Sequence, residues 1–175
     1  MRVPRIYHPA SISLQNETEL SADAFQHLIK VLRLNVGDSI VLFNGDGQNY
    51  EAKITSVQKK SAQFIATHSQ ANASESSVNV HLAQVVSRGD RMDFVLQKSV
   101  ELGVTEITPL FSERCGVKLS GDRLEKKQLQ WQKIVHSACE QCGRSVVPQV
   151  RPAQQLTEFI ESSFEGLRLT LDPTA

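Results

Sequence analysis

The sequence predicts a two-domain α+β protein: a small β-barrel followed by an α/β domain with a parallel sheet. Three observations carry this. Short apolar runs separated by Gly, Asn and Lys turns fill the first 70 or so residues. A small, polar stretch, Ser69-Gln70-Ala71-Asn72-Ala73-Ser74-Glu75-Ser76-Ser77, then interrupts the pattern. After it, strand-like and helix-like segments alternate, the order expected of crossover helices on a parallel sheet. The boundary is drawn inside the polar stretch, giving domains 1–72 and 73–175.

In the first domain, Arg5-Ile6-Tyr7 starts a strand. Ala22 to Leu32 reads as a helix, with Ser21 as N-cap and Phe25, Leu28, Ile29 and Leu32 as its apolar stripe. Ser39 to Phe43 is a strand rich in β-branched residues. Asn44-Gly45-Asp46-Gly47 is a hairpin signal, because Asn and Gly tolerate positive φ. Tyr50 to Val57 alternates, with Tyr50, Ala52, Ile54 and Ser56 on one face. Lys59-Lys60 reads as a turn tip, and Ala62 to His68 completes a meander. Gly45-x-Gly47 is no dinucleotide fingerprint, since a strand follows it rather than a helix.

In the second domain, Val78 to Val86 reads as a strand. A helix follows from Arg91 to Leu102, capped by Asp90 and stopped by Gly103. Val104 to Leu110 is a strand. Asp122 opens a helix to Cys142, with Glu125 as capping-box partner and Gly143 as stop. Val146 to Val150, a helix over Ala153 to Ser162 and a strand over Leu167 to Leu171 complete the series.

Composition narrows the function classes. The 175 residues carry 19 basic and 19 acidic side chains. No apolar run approaches the ~18 residues of a membrane span. Met1-Arg2-Val3-Pro4-Arg5 has no apolar signal core. Three cysteines make no disulfide scaffold, so a reducing cytosolic compartment is expected. The balance is not local. Residues 114–151 hold eight basic and three acidic side chains, whereas 152–175 are net −3. A basic patch of that kind suits phosphate, although a solvated helix face gives the same count.

Ligands of open α/β sheets sit outside the carboxyl ends of the strands. Three predicted strand ends there offer arginine: Arg88, Arg114 and Arg151. Guanidinium groups suit phosphate or base edges. The 122–142 helix carries Leu124, Trp131, Val135, Ala138 and Cys142 on one face and Arg123, Lys126, Lys127 and Lys133 on the other. The first face reads as core and the second as a phosphate contact. Cys115, His136, Cys139 and Cys142 could supply zinc ligands. However, the C-x-x-C lies at a helix C-terminus, where the dipole opposes thiolate, and no second closely spaced pair is present. No metal is expected.

Several segments resemble one family. They are Arg2-Val3-Pro4-Arg5-Ile6-Tyr7-His8, His27-Leu28-Ile29-Lys30-Val31-Leu32-Arg33, Gln97-Lys98-Ser99-Val100-Glu101-Leu102-Gly103-Val104, Ser112-Glu113-Arg114-Cys115, Gln130-Trp131, and Ala138-Cys139-Glu140-Gln141-Cys142-Gly143-Arg144 with Pro148. The chain is similar along its length to bacterial ribosomal RNA small subunit methyltransferase E. The resemblance implies a PUA-like barrel and a SPOUT methyltransferase domain with a trefoil knot. It also implies a homodimer and S-adenosylmethionine-dependent methylation of uridine N3 in 16S rRNA. The family's Gly-Pro-Glu-Gly-Gly-type loop and Leu-Arg-x-Glu-Thr-Ala-type segment find no counterpart in these residues. The sequence therefore reads as a methyltransferase domain cut short of its knot. On that reading the chain by itself is an inactive, RNA-binding piece, and only Leu169, Leu171, Asp172 and Pro173 belong to the cofactor site. Arg114, Glu101 and Glu140 are the expected catalytic candidates, with Arg88 or Arg144 as alternative cations and Glu113 as a further carboxylate. RNA contacts are expected from Arg2, Arg5, Arg33, Arg88, Arg123, Lys126, Lys127, Lys133 and Arg144, with Lys59 and Lys60 on the barrel. The partner implied is 16S rRNA or the assembled small subunit.

Overall fold

Two sheets organise the chain, each with its own core. In the computed structural model, which describes residues 3–171, the first sheet has five strands in the order β1-β3-β4-β5-β2. These are β1 (Arg5–Tyr7), β2 (Glu17–Glu19), β3 (Ser39–Phe43), β4 (Gln48–Val57) and β5 (Ala62–Ala71). β1 runs parallel to β3, and the other pairs are antiparallel. Tyr50, Ala52 and Ile54 of β4 are buried, as the alternation predicts, and pack with Leu42, Phe64 and Leu28.

The helix predicted over 22–32 departs from regularity. α1 (Ala22–Phe25) is capped by the Ser21 side chain and then widens into a π-helical turn, Gln26–Val31. The Leu32 N–H reaches back five residues to the His27 carbonyl, at 2.9 Å. That extra residue swings Leu32 off the apolar stripe, leaving it 43% exposed, while Phe25 and Leu28 stay buried.

The second sheet is wholly parallel: β6 (His81–Val85), β7 (Glu106–Phe111) and β8 (Gln149–Val150), with β9 (Gln154–Gln155) beside the far end of β7. α2 (Asp90–Glu101) and α3 (Gly121–Cys142) pack together over it. Trp131 and Val135 of α3 join Leu96 and Val100 of α2 and Ile107 of β7 in the core. The short α4 (Leu156–Glu161) follows β9, with a capping box between Gln155 and Glu158.

Three expectations need correction. Leu167 to Leu171 form no strand. A strand needs a ladder partner, and no pairing to this segment occurs among the described residues. Leu167, Leu169 and Leu171 are instead 79%, 80% and 95% exposed. Cys142 is exposed rather than core, and Cys139 takes the buried position. The polar stretch starts later than expected, because β5 continues through Ala71.

The two units meet along the last turns of α3. Phe43 of β3 packs into the second core, and Tyr7 stacks on His136 with ring centroids 3.9 Å apart. The Arg5 guanidinium lies over the Phe43 ring, 3.9 Å from its centroid. It donates to the carbonyls of Cys139 and Arg144 at 2.7 and 2.8 Å, closing the C-terminus of α3.

Candidate active site and nucleic-acid interface

The carboxyl edge of the parallel sheet is where loops after β6 and β7 and the N-termini of α2 and α3 converge. The loops are tied together. Arg88, after β6, donates to the Gly116 carbonyl at 3.1 and 3.3 Å. The approach is close: a Cβ on Gly116 would meet the Arg88 guanidinium at 2.6 Å and push it off the carbonyl. The Cys115 thiol donates to the Val86 carbonyl at 3.4 Å.

Arg114 stands on the β7–α3 loop, exposed, with no hydrogen bond or ion pair among the described residues. Arg123 and Lys126, in the first turns of α3, are likewise exposed and unpaired among the described residues, as are Arg91 and Lys118. The positive end of α3 adds to the same field. Lys118 was legible only as one charge in the 114–151 window, and Arg91 was not singled out at all.

Other candidate cations sit elsewhere. Arg144 is 4% exposed, donating to the carbonyls of Val100 and Val104 and pairing with Glu75 at 2.5 Å. It ties the interdomain stretch to the C-terminus of α2. Arg5 is engaged at α3 as described above, with Asn49 and Ser145 as further acceptors. Burial lowers its pKa. Neither guanidinium faces solvent in a way that leaves it for RNA. Lys127 lies 3.8 Å from Asp93, and Lys133 lies 2.8 Å from Asp23 across to α1. Arg33 is exposed at the barrel end. Arg151 misses the carboxyl edge. β8 is two residues long and pairs with the start of β7, so Arg151 pairs with Glu106 instead. Arg2, Asp172 and Pro173 lie outside the described residues.

The carboxylates separate in the same way. Glu101 closes α2 and binds Lys98 at 2.8 Å. It stands eleven residues from Asp90, about 16 Å along the helix. Glu140 stands nineteen residues from Gly121, about 28 Å along α3. It accepts the Tyr7 N–H at 3.0 Å, and burial raises its pKa. Of the three catalytic candidates, only Arg114 is at the carboxyl edge; the exposed Glu113 adjoins it.

Cys139 behaves as a small apolar residue, whereas Cys142 is exposed. Burial pushes the Cys139 thiol up to about 12. Among the described residues, no three His, Cys, Asp or Glu side chains converge on a metal position. No described helix is long and apolar enough to cross a membrane. Of the residues expected at the cofactor, the two that are described, Leu169 and Leu171, lie open to solvent.

Comparison with known proteins gives this geometry its family. An RNA methyltransferase PUA domain matches residues 20–67, and an RNA methyltransferase domain matches residues 74–175. A ribosomal RNA small subunit methyltransferase E of Buchnera aphidicola is 33% identical over 175 residues, covering 99% of this chain and 71% of that protein. The protein of the same name from Bacillus subtilis is 28% identical over 142 residues, covering 81% of this chain and 56% of its own length. A methyltransferase from Legionella pneumophila, solved in complex with SAM, superposes with a TM-score of 0.95 at 42% identity, over 99% of this chain and 72% of that one. The methyltransferase E of Neisseria gonorrhoeae, solved bound to S-adenosyl methionine, gives 0.88 at 42% identity, over 93% and 66%. The first sheet is thus a PUA-like domain and the second an α/β domain of methyltransferase type. With these matches over nearly its full length, the chain belongs to the ribosomal RNA small subunit methyltransferase E family.

Proposed function

We propose that this chain forms the RNA-facing part of an S-adenosylmethionine-dependent enzyme that methylates N3 of a uridine in 16S rRNA. The observation that carries the reading is the carboxyl edge, whose loops and helix starts carry the exposed Arg88, Arg114, Arg123 and Lys126, on a fold whose relatives hold that cofactor.

The chemistry can be followed from the RNA side. Uracil N3 carries a proton and is a poor nucleophile until it leaves. A guanidinium beside O4 or O2 favours the N3 anion by direct charge stabilisation. Arg114 has the exposure and freedom for that role. Glu113, its neighbour on the loop, takes the proton, while Arg88, Arg123 and Lys126 hold phosphates. The cofactor would supply an already activated methyl group. A homodimer in the cytoplasm, acting on RNA or the small subunit, accords with the family.

Arg114→Ala in the intact protein is expected to lower transfer of labelled methyl to small-subunit RNA at least 100-fold, with the fold retained. Undiminished transfer would remove Arg114 from the site. The exposure of Leu169 and Leu171 favours a second reading, in which the 175-residue chain alone binds RNA without transferring methyl. RNA retention without methyl incorporation by this chain is its signature.

A further inference from the structure

Two backbone irregularities fall within one short stretch of the first domain. The helix that begins at Ala22 becomes π-helical over Gln26–Val31. Two residues later Arg33 adopts φ 59°, the left-handed region that side chains rarely occupy. Their joint effect is outward. His27, Lys30, Val31, Leu32 and Arg33 all face solvent, with Val31 61% exposed. From Gln26 to Gly37 there is no acidic residue. Lys30 donates to the Lys59 carbonyl at 3.2 Å, which draws the Lys59-Lys60 turn to the same end of the domain.

Beside this stretch lies a cleft of about 300 Å³, walled by both domains. Its apolar side is Val3, Pro4, Leu32 and Leu34; its polar side is Arg5, His27, Glu140 and Gln141, with the Arg5 guanidinium already taken up by Asn49, Ser145 and the end of α3. The volume is at the small end of ligand pockets, enough for one planar ring system and not for a duplex. The Glu140 carboxylate disfavours a phosphate inside the cleft. It accepts instead from ring N–H or amino groups, and His27 and Gln141 offer both donors and acceptors. Phosphates therefore belong outside, with the cations. That division is the one by which proteins recognise single-stranded RNA: bases splayed into pockets, backbone on basic side chains.

We propose that this junction is a docking site for single-stranded RNA, with Lys30 and Arg33 on phosphates and one unpaired base in the cleft between Leu32 and Glu140. The inference rests on the reading of the chain as acting on RNA, and it adds a contact remote from Arg114.

The test uses the 175-residue chain, a 20-nucleotide single-stranded RNA of mixed sequence carrying 4-thiouridine, and its duplex. Binding is followed by fluorescence anisotropy across 50 to 200 mM salt, and photocrosslinks are mapped by mass spectrometry. Arg33→Gly is the key variant, because glycine accepts the left-handed φ and the fold is retained. Arg33→Gly and Lys30→Gln should each weaken single-strand binding about three- to tenfold. Each should also lower the slope of log affinity against log salt by about 0.7, the value for one phosphate contact on a single strand. Leu32→Ser should narrow the preference for single strand over duplex, and crosslinks should fall within 26–36. If affinity and slope survive Arg33→Gly and Lys30→Gln while Arg123→Ala weakens binding, this site is refuted and the carboxyl-edge reading stands. Crosslinks confined to 87–126 refute it equally. If the unaltered chain binds neither RNA, the reading on which the proposal rests fails with it.

Discussion

The two ends of α3 use the same kind of residue for opposite purposes. At the N-terminal end, Arg114, Arg123 and Lys126 extend into solvent with no partner among the described residues. At the C-terminal end, Arg5 and Arg144 are folded inward: Arg5 donates to the carbonyls of Cys139 and Arg144 at the end of α3, and Arg144 to those of Val100 and Val104 at the end of α2. Helix electrostatics explains part of this. Cations are favoured at a C-terminus, where they satisfy the last carbonyls, and anions or anionic ligands at an N-terminus. The lesson is that arginine count does not measure nucleic-acid contact. What matters is whether the guanidinium still has free donors.

Arg144→Ala removes the side-chain donor to Glu75 and to the Val104 carbonyl, and one of two donors to the Val100 carbonyl, which also accepts the Gly103 N–H. It should destabilise the chain by about 3–5 kcal/mol in urea unfolding. A loss below about 1 kcal/mol would show that Arg144 is not the buried tie described here. Arg5→Ala removes a part-buried cation and its four hydrogen bonds and should cost less, about 2–3 kcal/mol. Arg123→Ala, at the other end, should stay within about 0.5 kcal/mol. Equal losses from Arg5→Ala and Arg123→Ala would erase the contrast between the ends.

Acid sharpens the comparison next. Burial lowers the His136 pKa to about 4, against 6.5 ordinarily. Between those values the unfolded chain binds a proton that the folded chain refuses. Stability therefore falls as pH drops from about 6.5 to 4. Glu140, raised by burial, works in the opposite sense just above the usual carboxylate range, where its stabilising contribution is lost as pH rises. Replacing the ring by Phe, His136→Phe, keeps a partner for Tyr7 and should flatten the acid loss of stability. A pH profile unchanged by His136→Phe would assign that loss to another group. A small effect is also expected where the two loops of the carboxyl edge touch. Gly116→Ala displaces the flexible Arg88 guanidinium from its carbonyl and should cost under about 1 kcal/mol. A larger loss would mean that the two loops cannot yield.

How much of this was legible depended on range. α2 and α3 could be read to within a residue or two, because their apolar periods and the glycines at 103 and 143 are local signals. β2 could not, since Glu17-Thr18-Glu19 has no apolar alternation and is held only by its pairing with β5. The 167–171 segment has strand composition but no strand beside it, and composition cannot supply a neighbour. The basic patch was legible as charge, but the inward turn of Arg5 and Arg144, both expected at RNA, was not. Their acceptors lie 134 and 139 residues away for Arg5, and 40 and 44 away for Arg144. The π-helical turn left no mark in a stripe that reads as an ordinary helix.

The 22 residues of α3 form a rod of about 33 Å. That length makes it a ruler. The carboxyl-edge cations and the barrel-side cleft stand near its two ends, about ten stacked bases apart at 3.4 Å each. An RNA shorter than this engages one end at a time. One that spans the rod makes its second contact at high effective concentration, so affinity should rise steeply at a threshold length rather than gradually with each added nucleotide.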